Sequence, residues 1–296
     1  MLVTMKEILD KASEDNYAVA APNIFSELDA RAYIEAAEEL KSPLIIDYCY
    51  GHNADTYFIG DMCRKLAMQS CVPIAINLDH GGPKEHIIEA IRAGFTSVMV
   101  DRSSLPFEDN VKQVKEIVDI AHSVGVSVEA ELGHVGQANS YSTDRDAALT
   151  SVEESIKFIE MTGVDCLAVA IGTAHGAYPK GFVPYIDFDR LREIKVANHN
   201  FPLVLHGSSG TAHKDLQKVC SMGINKVNIA NDLCRAAATA LQSANLEGQA
   251  AYDVYKVARE GAKSKLIEMI KIYGSEGKAW VPDCKGIKKG VNSMEE

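Results

Sequence analysis

The segment Val72-Pro73-Ile74-Ala75-Ile76-Asn77-Leu78-Asp79-His80-Gly81-Gly82 begins as a short apolar run and ends in an acid, an imidazole and two glycines. The apolar half predicts a buried β-strand. A strand interior disfavours Asp79 and His80, because burying an unpaired charge costs several kcal/mol. We interpret this junction as a strand end that opens into a pocket, where the glycines let the backbone turn and bring both side chains to one site. Taken alone, an ordinary polar strand-to-loop junction with a structural Asp would be the preferred interpretation.

The rest of the chain alternates short β-branched runs with longer segments of helical periodicity. Strands are predicted at 18–23, 43–48, 72–78, 97–101, 127–131, 166–170, 202–206 and 226–229. Helices are predicted at 5–15, 26–40, 56–69, 84–93, 107–124, 151–162, 187–196, 212–222, 232–244 and 250–273. This order predicts an α/β fold, a (β/α)8 TIM barrel with extra N-terminal and C-terminal helices. A doubly wound open sheet is the alternative, but its Gly-x-Gly-x-x-Gly signature is missing.

Composition limits the kinds of partner. The chain has 296 residues and no linker or low-complexity tract, so we expect residues 1–296 to form one domain. A net charge of −11 argues against binding to nucleic acid or to an anionic membrane surface. Seven scattered cysteines without a Cys-x-x-Cys pair, and an N-terminus unlike a signal peptide, predict a cytoplasmic protein with reduced thiols.

Conspicuous polar residues lie at the carboxyl ends of the predicted strands, which share one end of a parallel barrel, where active sites form. These residues are Asn23, Asp47, Asp79, His80, Asp101, Glu131, His175 in the loop after strand six, His206 and Asn228. Structural polar residues would be scattered over both ends of the barrel. The clustering therefore predicts a functional site at this end.

Three of the nine histidines belong to this set: His80, His175 and His206. Three imidazoles and a water molecule are a common ligand set for catalytic zinc. Asp101 and Glu131 are candidates for partners of these ligands or for alternate ligands, and Glu131 is preferred over Glu129 because it lies nearer the end of the strand. Ordinary structural roles fit five other histidines, which lie in predicted loops or helices: His52, His86, His122, His199 and His213.

A second candidate site follows strand seven, where Gly207-Ser208-Ser209-Gly210-Thr211 precedes a helix. Small residues let backbone N–H groups approach an anion, and the helix N-terminus adds its dipole. Asn228 and Asn231, after strand eight, would line the other side, and Gly176 allows a further close approach of the backbone. An ordinary β–α turn with a Ser or Thr cap is the alternative interpretation.

Five motifs together resemble the class II, zinc-dependent ketose-bisphosphate aldolases, over about residues 4 to 280. The motifs are Leu78-Asp79-His80-Gly81, Glu129-Ala130-Glu131-Leu132-Gly133, Gly172-Thr173-Ala174-His175-Gly176, Leu205-His206-Gly207-Ser208-Ser209-Gly210 and Lys226-Val227-Asn228-Ile229-Ala230. The resemblance implies cleavage of fructose or tagatose 1,6-bisphosphate to dihydroxyacetone phosphate and glyceraldehyde 3-phosphate, as in glycolysis and related carbohydrate metabolism.

The resemblance also implies roles for single residues. Asp79 would be the acid/base, and zinc would be bound by the three histidines, with Asp101 and Glu131 near the metal. A phosphate group would be held by Gly176, Gly207, Ser208, Ser209, Asn228 and Asn231. A monovalent cation, Na+ or K+, near this phosphate and a homodimer or homotetramer are implied as well. The loop from His134 to Ala147 is a candidate lid.

The sequence departs from the family pattern where the distal phosphate should bind. Asp101 is followed by Arg102-Ser103-Ser104 instead of Gly-Ser-His, Asn231 replaces a Thr, and the usual Asp-Pro-Arg is missing. Arg259 or Arg102 could hold the distal anion instead, although each also fits a surface salt bridge. The loop around Pro179-Lys180-Gly181 is about two residues longer than usual. The alternative substrate is therefore a ketose 1-phosphate with a non-phosphate distal group.

Two other hypotheses remain. A metal-dependent hydrolase on the same barrel is disfavoured, because the His-x-His and His-Glu-x-x-His motifs are absent. A non-catalytic sugar-phosphate-binding relative would be expected to have lost a ligand or the acid/base. Asp79 and all three histidines are present, so the sequence favours an enzyme.

Overall fold

Eight parallel strands close into a barrel in sequence order in the computed structural model, which describes residues 1–136, 149–176 and 184–281. The strands are β1 Val19–Ile24, β2 Leu44–Tyr48, β3 Ile74–Gly81, β4 Ser97–Val100, β5 Ser127–Leu132, β6 Cys166–Val169, β7 Leu203–Leu205 and β8 Ile224–Ile229. The pairing of β8 with β1 closes the barrel. The predicted TIM barrel is confirmed, and the open sheet is excluded.

Helices surround the barrel and extend it at both ends. They are α1 Met5–Glu14, α2 Glu27–Glu39, α3 Thr56–Gln69, α4 Lys84–Arg92, α5 Phe107–Ser123, α6 Val152–Thr162, α7 Phe188–Ala197, α8 His213–Ser221, α9 Asn231–Ser243 and α10 Val254–Tyr273. The helix predicted from residue 250 is in fact a 3-10 helix, Gly248–Asp253, followed by α10. Within the three described ranges, no helix combines the length and apolar composition that crossing a membrane requires.

Apolar faces of the helices pack against the outside of the barrel. In α5, Val111, Val114, Ile117, Val118 and Ala121 are all buried, as their helical spacing predicts. Val98 and Val128 on the facing strands are fully buried in the same core. The strands are therefore covered on their outer side, as parallel strands usually are.

The inside of the barrel divides into an apolar and a polar half. Near the amino ends of the strands, Val19, Ile45 and Val204 form a buried cluster with Ile8 and Leu9 of α1. Helix α1 therefore closes this end of the barrel with apolar side chains. Polar side chains occupy the other half of the interior, which leaves the carboxyl ends of the strands as the place for a site.

Strand β3 continues through Asp79 and His80 and does not stop at Leu78 as predicted. The register with β4 shifts between Leu78 and Gly81, and His80 has a φ of 51°. Such an irregularity redirects side chains, and it brings Asp79 and His80 to one site. The prediction that the glycines make the turn is wrong, because the positive φ belongs to His80. Gly81 is required for a different reason, since a Cβ there would lie 2.2 Å from the carbonyl oxygen of Met99.

Candidate active site

A cavity of about 220 Å3 opens at the carboxyl end of the barrel. It collects most of the residues that the sequence analysis selected. Its lining consists of Asn23, Cys49, His52, Asp79, His80, His175, Gly176, His206, Gly207, Ser208, Ser209, Asn228, Ile229, Ala230 and Asn231. Among the described residues, the lining contains no lysine or arginine.

Three imidazole nitrogens converge in this cavity. Nε2 of His80 lies 3.1 Å from Nε2 of His175 and 3.2 Å from Nδ1 of His206. The remaining pair, His175 Nε2 and His206 Nδ1, is 3.5 Å apart. The rings come from β3, from the loop after β6 and from the residue after β7. Tertiary structure thus brings together three side chains that are far apart in the sequence.

The other nitrogen of each ring donates to an acceptor. His80 Nδ1 donates to Oδ2 of Asp101 at 2.8 Å, and His206 Nε2 donates to Oε1 of Glu129 at 2.8 Å. His175 Nδ1 donates to the carbonyl oxygen of Val135 at 3.0 Å. Because these acceptors fix the tautomers, the neutral rings direct three lone pairs toward one point.

A zinc ion fits this donor set. Tetrahedral coordination at a Zn–N distance of about 2.0–2.1 Å separates two ligand nitrogens by about 3.3–3.4 Å, close to the spacing of the three imidazole nitrogens. Three lone pairs at this spacing repel one another unless a cation or a proton lies between them. Imidazole ligands whose second nitrogen is hydrogen-bonded are typical of protein metal sites.

Burial and neighbouring charges shift the pKa values of two of the imidazoles in opposite directions. Burial acts to lower the pKa of His80, but the charge of Asp79 and the hydrogen bond to Asp101 raise it to about 10. Burial, together with the neighbouring His206 and His80, lowers the pKa of His175 to about 4. The carboxylates of Asp79 and Asp101 beside His80 therefore favour positive charge at this point, which a bound metal ion would supply.

Asp79 is buried, and both of its oxygens accept hydrogen bonds. Asn23 Nδ2 donates to Oδ2 at 2.8 Å, and Asn228 Nδ2 donates to Oδ1 at 2.9 Å. Burial acts to raise the pKa of Asp79, but the charges of His80 and His206 hold it well below its usual value. The carboxylate is thus ionised and fixed beside the imidazoles, with Oδ1 3.9 Å from His80 Nε2.

Asp101 and Glu131 lie on the other side of His80. Potential ligand atoms of His80, Asp101 and Glu131 all lie within 4.8 Å of one another and form a second possible metal-binding group. Glu131 Oε1 accepts a hydrogen bond from the backbone of Val135, while Oε2 is buried without a partner among the described residues. Burial raises the pKa of Glu131. Both positions fit the expected alternate ligands or ligand partners.

Sequence reasoning set aside Glu129 and gave no role to Lys226, yet both lie directly beneath the imidazoles. Lys226 Nζ lies 2.8 Å from Oε2 of Glu129 and 3.2 Å from Oδ2 of Asp47. Burial acts to raise the pKa of Glu129, but Lys226 and His206 lower it below its usual value. The alternation of side chains along β8 could have identified Lys226. Residues two apart in a strand point to the same face, so Lys226 and Asn228 both point to the inside of the barrel.

The expected phosphate-binding residues surround the rest of the cavity. Gly207 has a φ of 67°, and a Cβ there would lie 2.4 Å from the carbonyl oxygen of Ala174, so only glycine fits. Ser208, Ser209 and Asn231 all line the cavity beside the N-terminus of α9, and the hydroxyl of Ser208 donates to the carbonyl oxygen of Asn228. The amide of Asn228 contacts Asp79, so its observed contact is with the acid and not with an anion site.

Neither arginine proposed for the distal anion reaches the cavity within this chain. Arg259 of α10 pairs with Glu35 of α2 on the outer surface. Arg102 donates to the carbonyl oxygens of Gly81 and Asp101 and to Gln113. Most of the candidate lid, from residue 137 to 147, and the segment 179–181 lie outside the described residues. His52, expected to be structural, lines the cavity and packs against Phe25, with ring centroids 4.4 Å apart and the ring planes tilted by 31°.

Comparisons with known proteins agree with this architecture. The family model described as fructose-bisphosphate aldolase class-II matches residues 3–278. A fructose-bisphosphate aldolase of Thermus caldophilus is 40% identical, with 94% of this chain and all of that one covered. The crystal structure of the YdjI aldolase of Escherichia coli K12 superposes with a TM-score of 0.84 and 34% identity, covering 95% of this chain and all of that one. The chain therefore belongs to the class II fructose-bisphosphate aldolase family, and its fold and lyase-type chemistry are those of an aldolase.

Proposed function

We propose that this protein is a zinc-dependent aldolase that reversibly cleaves a ketose bisphosphate, fructose or tagatose 1,6-bisphosphate, into dihydroxyacetone phosphate and glyceraldehyde 3-phosphate. The observation that carries the proposal is the convergence of three imidazole lone pairs beside one buried carboxylate, Asp79. A metal site and an acid/base in one cavity are what a carbonyl-forming C–C cleavage without a lysine Schiff base requires.

His80, His175 and His206 would hold the zinc ion. Bound there, zinc supplies Lewis-acid chemistry, which polarises the ketone carbonyl and stabilises the negative charge that develops on its oxygen. Asp101, Val135 and Glu129 keep the three rings in the orientation that directs lone pairs into the cavity.

Asp79 would move the proton. In cleavage, its carboxylate accepts the proton of the C4 hydroxyl while the C3–C4 bond breaks, the C4 carbon becomes an aldehyde and the electron pair of the broken bond passes through C3 to the ketone oxygen. Protonation of C3 then completes dihydroxyacetone phosphate. In condensation, the same group returns that proton to the new C4 oxygen. Hydrogen bonds from Asn23 and Asn228 fix the carboxylate for both directions.

The phosphate of the dihydroxyacetone phosphate half would bind at the glycine-rich turn after β7. Gly176, Gly207 and Ser209 let the backbone approach an anion, and α9 directs its N-terminus toward the same part of the cavity. We propose that Ser208 contributes only backbone, because its hydroxyl is already bonded. A Na+ or K+ ion beside the phosphate belongs to the same proposal.

A ketose 1-phosphate with a non-phosphate distal group is the second candidate substrate. The observation that favours it is the placement of Arg259 and Arg102, whose guanidinium groups are engaged by Glu35 and by backbone carbonyls outside the cavity. A homodimer or homotetramer, in which Arg259 of another subunit could approach the site, and a cytoplasmic location remain part of the proposal.

The decisive experiment measures release of dihydroxyacetone phosphate from fructose 1,6-bisphosphate, tagatose 1,6-bisphosphate and a set of ketose 1-phosphates, with and without chelator. Chelator-sensitive cleavage of a bisphosphate supports the first candidate. Cleavage of monophosphates alone supports the second. Cleavage that survives complete removal of metal would contradict both, and zinc binding without any cleavage would favour the non-catalytic relative.

A further inference from the structure

The buried ammonium group of Lys226 is unexplained by the proposed chemistry. Lys226 lies in the middle of β8, its side chain points into the barrel, and none of it is exposed. A lysine in the barrel interior is unfavourable, because an ammonium group loses its hydration there and must be compensated by buried partners. An apolar residue would fill the position at lower cost if packing were its only purpose.

Lys226 of β8 connects two strands that are not its neighbours in the barrel. Its Nζ contacts Glu129 of β5 at 2.8 Å and Asp47 of β2 at 3.2 Å. Asp47 is held in turn by Asn77 of β3, whose Nδ2 donates to Oδ1 at 2.9 Å. These four side chains, all fully buried, form a polar layer directly below the imidazoles.

Glu129 divides its two oxygens between this layer and the candidate metal site. Oε2 accepts from Lys226, and Oε1 accepts from Nε2 of His206, each at 2.8 Å. The carboxylate can therefore rotate only by giving up one of two charge-assisted hydrogen bonds. The orientation of the His206 ring depends on Glu129, and the orientation of Glu129 depends on Lys226.

We propose that Lys226 is a positioning residue for the metal centre, which acts through Glu129 to hold His206 with its Nδ1 directed at the ion. In the part of the chain that the structure describes, the ion pairs of Lys226 are with Glu129 and Asp47, and none of its hydrogen bonds is with an imidazole. This inference rests on the proposed metal centre and extends it by one further layer of residues. Partners of metal ligands typically contribute 10–100-fold to metal affinity, and Lys226 should contribute in this range although it is one residue further removed.

Zinc affinity of the Lys226→Met protein, measured by competition with a chromophoric chelator, tests the proposal without requiring aldolase activity. We expect affinity to fall roughly 10- to 100-fold relative to the unmodified protein. Lys195→Met is the matched control. Lys195 is also a buried lysine, but it contacts Ser13, Asn225 and backbone carbonyls at the opposite end of the barrel, so its loss should leave zinc affinity unchanged.

Glu129→Gln and the double variant with Lys226→Met show whether Lys226 acts through Glu129. If it does, the double variant loses little more affinity than Glu129→Gln alone, because the two changes interrupt one connection. Independent, additive losses would overturn the proposal, as would unchanged affinity in Lys226→Met. Lys226→Gln is the substitute if the Met variant does not fold, and wild-type affinity in Glu129→Gln would overturn the proposal by itself. Failure of the unmodified protein to bind zinc would instead contradict the proposed metal centre.

Discussion

Asp79 is the residue whose surroundings differ most from those of an ordinary buried acid. It accepts one amide hydrogen bond on each oxygen and lies beside two imidazoles, so its carboxylate stays ionised although it is buried. Each oxygen keeps a second lone pair, which can accept a proton from a substrate hydroxyl. The fixed geometry suits a group that takes and returns one proton at a defined place.

Replacing Asp79 with alanine should therefore abolish chemistry and spare the metal. We expect turnover to fall about 10²- to 10⁴-fold, the range for loss of a general acid/base, while zinc content stays near one ion per chain. The partners that orient the three imidazoles, Asp101, Val135 and Glu129, are untouched by the change. Metal analysis checks the zinc content of the variant, and steady-state kinetics checks its turnover. Near-normal turnover would contradict the acid/base role of Asp79.

At the scale of elements, the end of β3 positions both Asp79, the proposed acid/base, and His80, one of the proposed metal ligands. The register shift and the positive φ at His80 depend on close contact between Gly81 and the backbone of β4, at the carbonyl oxygen of Met99. A side chain at position 81 must displace one of the two strands. At Gly82, by contrast, none of the described residues comes within 4 Å of the place where a Cβ would lie.

Gly81→Ala and Gly82→Ala are therefore a matched pair. We expect Gly81→Ala to lose about 1–3 kcal/mol of unfolding free energy, the usual cost of overpacking, and to bind zinc more weakly because His80 is displaced. Gly82→Ala should resemble the unmodified protein in both respects. Urea unfolding of the two variants and a zinc titration provide the comparison, and equal behaviour of the pair would show that the close approach at Gly81 is not required.

Helix α7 carries a buried lysine, Lys195, which is only 4% exposed. Burial lowers the pKa of Lys195 to about 7, whereas lysine in an unfolded chain titrates near about 10.4. At a pH between these two pKa values, the unfolded state binds more protons at Lys195 than the folded state does. The unfolding free energy should therefore rise with pH from about 7 to about 10.

Lys195→Met removes this contribution. The difference in unfolding free energy between the unmodified protein and the variant should therefore grow as pH rises through that window, in urea unfolding series recorded on metal-free samples. Other titrating groups are common to both proteins and cancel in the difference. A difference that is constant with pH, or that shrinks, would contradict the lowered pKa.

At the scale of the whole molecule, the three imidazoles join distant parts of one closed barrel. His80, His175 and His206 span more than 120 positions of the sequence, so an ion that binds all three selects the folded state over the unfolded one. A ligand at a hundred times its dissociation constant stabilises a protein by about 2.7 kcal/mol. For a protein larger than 150 residues this corresponds to a rise in Tm of roughly 5 °C.

Zinc should therefore raise the Tm of the chelator-treated protein by about this amount. His206→Ala should lose most of the rise at the same zinc concentration, because one ligand is missing. His213→Ala is the control, since His213 lies on α8 beside Glu268 and outside the convergent set. Scanning calorimetry of the three proteins measures the effect, and a full zinc-dependent rise in His206→Ala would refute the ligand assignment.

Several features of the site could be predicted because they depend on local pattern. Apolar runs alternating with amphipathic helices predict the barrel, and polar residues at strand ends predict the position of the site. Glu129 and Lys226 escaped prediction as contributors, because their roles depend on contacts across the barrel. Lys226 stands in an apolar strand, and only its placement opposite Glu129 and Asp47 gives it a role.

The sequence by itself determined the barrel, the end at which the site lies and the kinds of chemical group that it contains, since these follow from periodicity and from the direction of parallel strands. Tertiary structure alone decided which nitrogen of each imidazole faces the cavity, how Asp79 is held and where Arg259 and Arg102 direct their charges. The physical reason is that hydrogen bonds and ion pairs act over about 3 Å, between residues whose distance in space is unrelated to their separation in the chain.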